Sequence, residues 1–420
     1  MRDLFEEIVG YEDIKNELRI ISDMLNNPDM YKKMGASINN GLVLIGEPGT
    51  GKTTMANCLM KSTNRKTYVC RKKASDGEFV KHITKTFEMA KSNSPSIVLL
   101  DDLDKFSNED EDHSDAEEYV TVQSCIDEIR DADVFVIATV NNARKIPKSL
   151  LRPGRIGKKI QVHMPQHNEV EAIVKHYLER SERCKDLDGV SIARMLSNES
   201  CATLESVIGC AAMKAVYNRQ ERVEMKNVID ACLDLVFEAP ESSGHLSEYT
   251  LRKTAYHEAG HAIAAEILDP GSVSIISIRE TKDGDYGFVR YFRPRENFDN
   301  AEYYENTVKI SLAGKAATEI VFGETDMGAN SDLHHAFDKA KLMVDNHCMY
   351  GFHNWIEDNH AEYVSENRNH AITMVMERNY IEVKKLLVEH RELLDRLAEA
   401  LLQNVTLVYS DVQKICRTNI

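Results

Sequence analysis

Gly46-Glu47-Pro48-Gly49-Thr50-Gly51-Lys52-Thr53 directly follows the apolar run LVLI (42–45) and precedes a helical pattern. The spacing G-x-x-x-x-G-K-[ST] between a strand and a helix is that of a phosphate-binding loop. Its glycines let backbone N–H groups curl around phosphates. The helix N-terminus that follows favours their negative charge. Lys52 is expected at the β- and γ-phosphates of ATP, and the Thr53 hydroxyl on Mg2+. A chance glycine-rich turn has no reason to carry both flanking elements.

Outward from this loop, residues 41–160 alternate short apolar runs with helical segments: LVLIG (42–46), TYVC (67–70), SIVLLD (96–101), VFVIAT (134–139) and KKIQV (158–162). Runs of this kind, bounded by turn residues and spaced by helices, read as buried parallel strands of an α/β sheet. The third run ends in Asp101-Asp102. A carboxylate at the tip of a buried strand suits a magnesium site, so Asp101 is expected near the metal and Asp102 as the base that activates water. The fourth leads into Asn141, placed to orient that water. Leu151-Arg152-Pro153-Gly154-Arg155 then sets two arginines on a rigid turn. They suit fingers that neutralise γ-phosphate charge across a subunit interface.

These phrases, GEPGTGKT, SIVLLDDLDKF, VIATVNN and LLRPGRIGK, resemble the AAA+ ATPase module in order and spacing. The resemblance implies an α/β core over 1–164, a helical lid over 165–238 and assembly as a ring homohexamer with nucleotide between subunits. The segment 239–249, with EAPESSGHLSE (238–248), is rich in Pro, Ser, Gly and Glu and reads as a linker.

Beyond it, 250–420 is mainly helical, interrupted by an extended stretch (273–292) with a turn at KDGD (282–285). TAYHEAGHAI (254–263) holds His257-Glu258-Ala-Gly-His261. On a helix, an i, i+4 spacing puts both imidazoles on one face, where they can share a zinc ion. Glu258 can move a proton beside that metal without binding it. Small apolar neighbours, Ala255, Ala259, Ala262 and Ile263, bury the helix and argue against two ordinary surface histidines. A third ligand must lie downstream. The chemistry alone leaves Glu319, Asp332, His334 and His335 open.

TAYHEAGHAI, SLAGKAATEIVFG (311–323) and GANSDLHHAF (328–337) resemble the FtsH family of AAA+ zinc proteases. That resemblance implies Asp332 as the third ligand, with His335 on the helix surface or behind the ligands. It implies Zn2+ and ATP with Mg2+ as cofactors and polypeptides as substrates. The expected protein is an ATP-dependent zinc metalloendopeptidase, an AAA+ α/β module and helical lid followed by a mainly α-helical metalloprotease domain. Alternatives are a zinc peptidase whose ATPase is weak or regulatory, and a non-proteolytic remodeller with a structural metal. The first draws on Asp102, which stands where the family has Glu, and on the pore segment. There Ser75-Asp76-Gly77 replaces the family's aromatic-hydrophobic-glycine phrase, with Phe79-Val80 as a re-registered substitute. The acidic loop SNEDEDHSDAEE (107–118) reads as solvated, or as a pore loop preferring basic segments.

Composition narrows the class further. The chain has 420 residues, 42% hydrophobic and 29% charged, enough for a packed core. Lys plus Arg is 52 and Asp plus Glu is 68, so the net charge is −16. That disfavours nucleic acid as a partner. No apolar run reaches the ~18–20 residues of a membrane span, and no signal peptide is visible. The family is normally anchored by N-terminal spans, so the expectation is a soluble relative or one whose anchor has been removed. The nine cysteines are scattered without a C-x-x-C pair, which points to a reduced, cytoplasmic compartment.

Overall fold

Five strands surround the phosphate-loop motif: β1 (Gly41–Ile45), β2 (Lys66–Cys70), β3 (Ser96–Leu100), β4 (Val134–Val140) and β5 (Lys158–Gln161). All pair in parallel, in the order β2-β3-β4-β1-β5. Every residue of β3 and β4 is buried, as continuous apolar runs in a parallel sheet require. The helices are α1 (Glu12–Asn26), α2 (Pro28–Lys33), α3 (Lys52–Lys61), α4 (Phe79–Ser92), α5 (Glu117–Glu128) and α6 (His167–Glu179). The computed structural model describes residues 3–417 except 37–39, 73–77, 108–115, 153, 241–246, 283, 285, 293–299, 325–328 and 352–361.

The chain divides into two compact units. The first, residues 1–185 with 198–209, contains the parallel sheet. Its core joins Val43, Val98, Leu100, Val136 and Ala138 to Phe79, Ile83 and Phe87 of α4. Phe79 packs edge-on against Phe106 with ring centroids 4.8 Å apart. This corrects one expectation: Phe79 is a core residue and does not substitute for a pore aromatic. Ser75-Asp76-Gly77 and most of the acidic loop (107–118) lie outside the described residues, as do 241–246 of the expected linker.

Further along the chain come α7 (Gly189–Met195), α8 (Cys201–Tyr217) and α9 (Met225–Leu235). Next are α10 (Glu248–Leu268), β6 (Val273–Glu280), β7 (Tyr286–Tyr291), α11 (Ala301–Phe322), α12 (Asn330–Asp345), α13 (Glu362–Glu389), α14 (Arg391–Asn404), β8 (Thr406–Val408) and α15 (Tyr409–Arg417). The second unit comprises residues 186–197 and 210–420. The Ser247 side chain accepts from Thr250 N–H and starts α10. Gly260 lets α10 approach α11 closely: a Cβ there would fall 2.7 Å from Ala313 O and 2.6 Å from Ala317 Cβ. Ala255, Ala259 and Ala262 join Ala313, Ala316 and Ala317 in one core. The extended stretch forms an antiparallel pair, and β8 adds to its far side, giving the order β7-β6-β8. β7 is therefore an edge strand. Among the described residues, no helix is long and apolar enough to cross a membrane.

Candidate functional site

The phosphate loop leaves β1 at its carboxyl end, where ligands of open α/β sheets bind. Its turn uses left-handed backbone at Gly49 (φ +77) and Gly51 (φ +91), which glycine adopts without cost. A Cβ at Gly46 would fall 2.1 Å from Val162 O, so the loop also needs glycine at its base. Thr50 Oγ1 donates to Glu47 O at 2.8 Å and fixes the curl. Lys52 Nζ donates to the carbonyls of Gly46 and Glu47, each at 2.8 Å. Burial pulls its pKa down, while Asp102, Asp104 and Glu47 act the other way.

Asp101 is 1% exposed at the tip of β3. Thr53 Oγ1 donates to its Oδ1 at 3.0 Å and Thr139 Oγ1 at 2.7 Å. Arg71, at the end of β2, donates through Nε to Oδ2 at 2.9 Å and through a second guanidinium nitrogen. Burial opposes the charge on Asp101, but these hydrogen bonds prevail and hold its carboxyl below the usual range. Asp102 takes a left-handed conformation (φ 55) and its N–H donates to Thr139 Oγ1 at 2.8 Å. Asn141 Nδ2 donates to Asp102 Oδ1 at 3.3 Å, so the expected base and water-orienting residue do meet. Asp104 is buried and accepts from the backbone N–H of Asn141 and Asn142. A cavity of about 410 Å³ is lined by Pro48, Gly49, Lys52, Thr53, Asp102 and Asn141, among others.

Arg152 is exposed. Arg155, expected as a finger across a subunit interface, is hydrogen-bonded within its own chain. Its Nε and one terminal nitrogen reach both Asp127 oxygens, at 3.0 and 2.7 Å, and another donates to Ser149 O at 2.8 Å. The fork of a guanidinium matches a carboxylate in this bidentate way.

In the second unit, His257, His261 and Asp332 converge. His257 Nε2 lies 3.0 Å from Asp332 Oδ2, and His261 Nε2 lies 3.2 Å from it. The two Nε2 atoms are 3.1 Å apart. His261 Nδ1 faces Ile310 O at 2.7 Å. A carbonyl only accepts, so Nδ1 carries the proton and Nε2 of the neutral ring presents a lone pair. An imidazole lone pair turned toward an imidazole and a carboxylate is a donor set for a divalent cation. Tetrahedral zinc with bonds of about 2.0–2.1 Å spaces its ligands about 3.3 Å apart, close to the observed triangle. Gly314 leaves room for it: a Cβ there would sit 2.4 Å from His261 Nε2. The three residues fit zinc.

Of the other sequence candidates, Glu319 accepts from Lys384 Nζ at 2.9 Å and from Tyr380. His334 is exposed. His335 Nδ1 lies 2.9 Å from Ser311 Oγ. Asp13, His163 and Glu169 also cluster. However, Glu169 spends both oxygens on the backbone N–H groups of Tyr11 and Gln166, which makes it a helix cap.

Glu258 is 5% exposed and sits beside the triangle, on the wall of a cavity of about 460 Å³. The lining also includes Tyr286, Gly287, Phe288 and Val289 of the edge strand β7. A Cβ on Gly287 (φ +88) would lie 2.7 Å from Glu258 Oε1, so this glycine lets the strand approach the carboxylate. Sequence reasoning missed Gly287, Gly314, Arg71 and Thr139. The two glycines carry no local signal, and the other two act through partners about 30–40 residues away.

Comparison with known proteins agrees with this geometry. Residues 42–164 match the ATPase family associated with various cellular activities (AAA), and 245–415 match peptidase family M41. The ATP-dependent zinc metalloprotease FtsH 2 of Thermoanaerobacter sp. (strain X514) is 27% identical over 98% of this chain and 82% of its own length. FtsH of Thermus thermophilus is 28% identical, covering 98% of this chain and 70% of its own. FtsH 4 of Sphaerobacter thermophilus is 29% identical, over 98% and 67%.

Proposed function

From a chain that is an FtsH-type ATP-dependent zinc metalloprotease, an AAA module followed by an M41 peptidase domain, we infer how its two sites divide the work. The cofactors are zinc in one unit and ATP with Mg2+ in the other. The observation that carries the reading is the triangle of His257, His261 and Asp332 with Glu258 beside it in one cavity.

His257, His261 and Asp332 would hold the zinc ion, a three-residue ligand set of the kind that catalytic zinc sites use. Zinc, when bound, supplies Lewis acidity that makes water a competent nucleophile near neutral pH. Glu258 takes a proton from the attacking water on its carboxylate and returns it to the leaving amine. The β7 edge receives the substrate as an added strand, held by backbone hydrogen bonds that depend little on sequence. This suits a processive degrader.

In the other unit, Gly46–Thr53 would cradle the phosphates, with Lys52 serving the β- and γ-phosphates. Thr53 and Asp101 would hold Mg2+, and Asp102 with Asn141 would orient the attacking water. The subunits form a homohexameric ring in which Arg152 reaches the neighbour's nucleotide, and Arg155 does so once it leaves Asp127. Polypeptides are unfolded by ATP hydrolysis and cut at the zinc site. The nine cysteines, none of them in a disulfide, support a reduced cytoplasmic setting.

The test is degradation of a folded tagged protein and of an unfolded casein-like chain, with and without ATP and with a zinc chelator. The reading expects the chelator to stop both, and ATP removal to stop the folded substrate most. Degradation that survives complete zinc removal overturns it. Folded-substrate degradation indifferent to ATP leaves instead a peptidase with a regulatory ATPase.

A further inference from the structure

We propose that Lys339 sets substrate specificity: its ammonium group pairs with a carboxylate of the substrate held close to the scissile bond. This rests on the reading of the zinc cavity as the peptide-cutting site.

Lys339 lines the same cavity as His257, Glu258, His261 and Asp332. Asp332, His335 and Lys339 occupy positions i, i+3 and i+7 of α12, which places them on one helix face. At 1.5 Å per residue, Lys339 stands about 10 Å along the axis from Asp332. Long helical side chains lean back toward the N-terminus, which shortens that span. An extended substrate advances about 3.3 Å per residue. That spacing corresponds to about two to three substrate residues from Asp332, within reach of a side chain beside the cut or of a nearby chain end.

Among the described residues the cation has no carboxylate partner: none lies within 4.0 Å of it. Nζ lies over the Tyr304 ring, 6.0 Å from its centroid. Elsewhere in the unit, Lys309 pairs with Glu382 at 2.7 Å and Lys384 with Glu319 at 2.9 Å. The chain has 68 acidic against 52 basic residues, so partners for a lysine are abundant. The two carboxylates that line the cavity, Glu258 and Asp332, are committed to proton transfer and to the metal. A half-buried lysine beside the reacting centre, without a carboxylate partner among the described residues, is completed by a substrate carboxylate through a charge-assisted hydrogen bond. That carboxylate belongs to an Asp or Glu side chain or to the peptide's C-terminus.

The experiment uses the full chain loaded with zinc and short peptides identical except for Glu, Gln or Lys at each position flanking the cut. Each is made with a free and with an amidated C-terminus. Products are mapped by mass, kcat/KM is measured, and zinc content is determined for every protein. The wild type should prefer Glu over Gln at one position by about tenfold, the effect of one charge-assisted bond in a half-buried site. Lys339→Met should remove that ratio, and Lys339→Glu should turn it toward Lys. Preference lost on amidation assigns the chain terminus; preference kept assigns the side chain. The same ratios in wild type and Lys339→Met, both with full zinc, overturn the proposal, as does a wild type indifferent to charge at every position. A zinc-loaded wild type that cuts none of the peptides overturns the peptidase reading itself.

Discussion

Gly314 of α11 stands so close to His261 of α10 that a Cβ on the glycine would fall 2.4 Å from the His261 Nε2 atom, and 2.6 Å from that of His257. The metal triangle is thus shaped by a residue that contributes no ligand. Gly314→Ala should raise helix propensity by up to ~1 kcal/mol, since glycine is poor inside helices. It should nevertheless lower zinc occupancy, because the added methyl occupies the space of the ligand atoms. Metal content after dialysis, read beside helicity by circular dichroism, checks this. Full zinc occupancy in a folded variant would contradict the close approach.

Glu258→Gln separates metal binding from proton transfer. The amide fills the same space but cannot accept a proton. Zinc should remain, and peptide cleavage should fall by about 10²–10⁴-fold, the usual contribution of a general acid–base group. Near-normal cleavage with zinc verified would remove Glu258 from its role.

Asp332→Ala and His335→Ala test which residue completes the metal site. Asp332 Oδ2 touches both imidazoles at 3.0 and 3.2 Å, whereas His335 is held by Ser311. Zinc content should drop strongly in the first variant and stay mostly intact in the second. The reverse result would exclude Asp332 as the ligand.

Arg71 brings a positive charge against Asp101, the carboxylate expected beside Mg2+. Removing it in Arg71→Ala lowers the repulsion felt by the cation. The Mg2+ concentration for half-maximal nucleotide binding should fall roughly 3- to 10-fold, a modest effect because Arg71 is half exposed and its field is screened. Titration of a fluorescent nucleotide against Mg2+ measures it; an unchanged midpoint would show that Arg71 does not compete with the metal.

Arg152 and Arg155 should behave differently. Arg155 is tied to Asp127 within its own subunit, while Arg152 is exposed. Arg155→Ala should lower Tm by about 2–4 °C, the shift that ~1 kcal/mol produces in a domain of this size. Arg152→Ala should leave Tm unchanged but depress ATP turnover when mixed with wild-type subunits. Mixtures whose turnover is the simple average of their parts would argue against a finger acting across an interface.

Local elements, and the chemistry written within one turn or one loop, were legible from the order of residues. A phosphate loop is eight consecutive residues after an apolar run, and H-E-x-x-H fits inside two helical turns, so both can be read without a partner. Apolar runs announced the five parallel strands for the same reason, although only β3 and β4 are buried at every residue and β2 and β5, at the sheet edges, are largely exposed or half-buried. The expected third ligand was of another kind: spacing left four candidates, and only resemblance singled out Asp332. Folding in three dimensions settled what depends on distant segments meeting. Ile310 O fixes the His261 tautomer across 49 residues, and β8, three residues in a mainly helical tail, joins β6 across about 130. Gly287, Gly314 and the Arg155–Asp127 pair follow the same rule. A periodicity records which way a side chain faces. The neighbour it meets is set by how helices and strands pack, and that is a property of the whole unit.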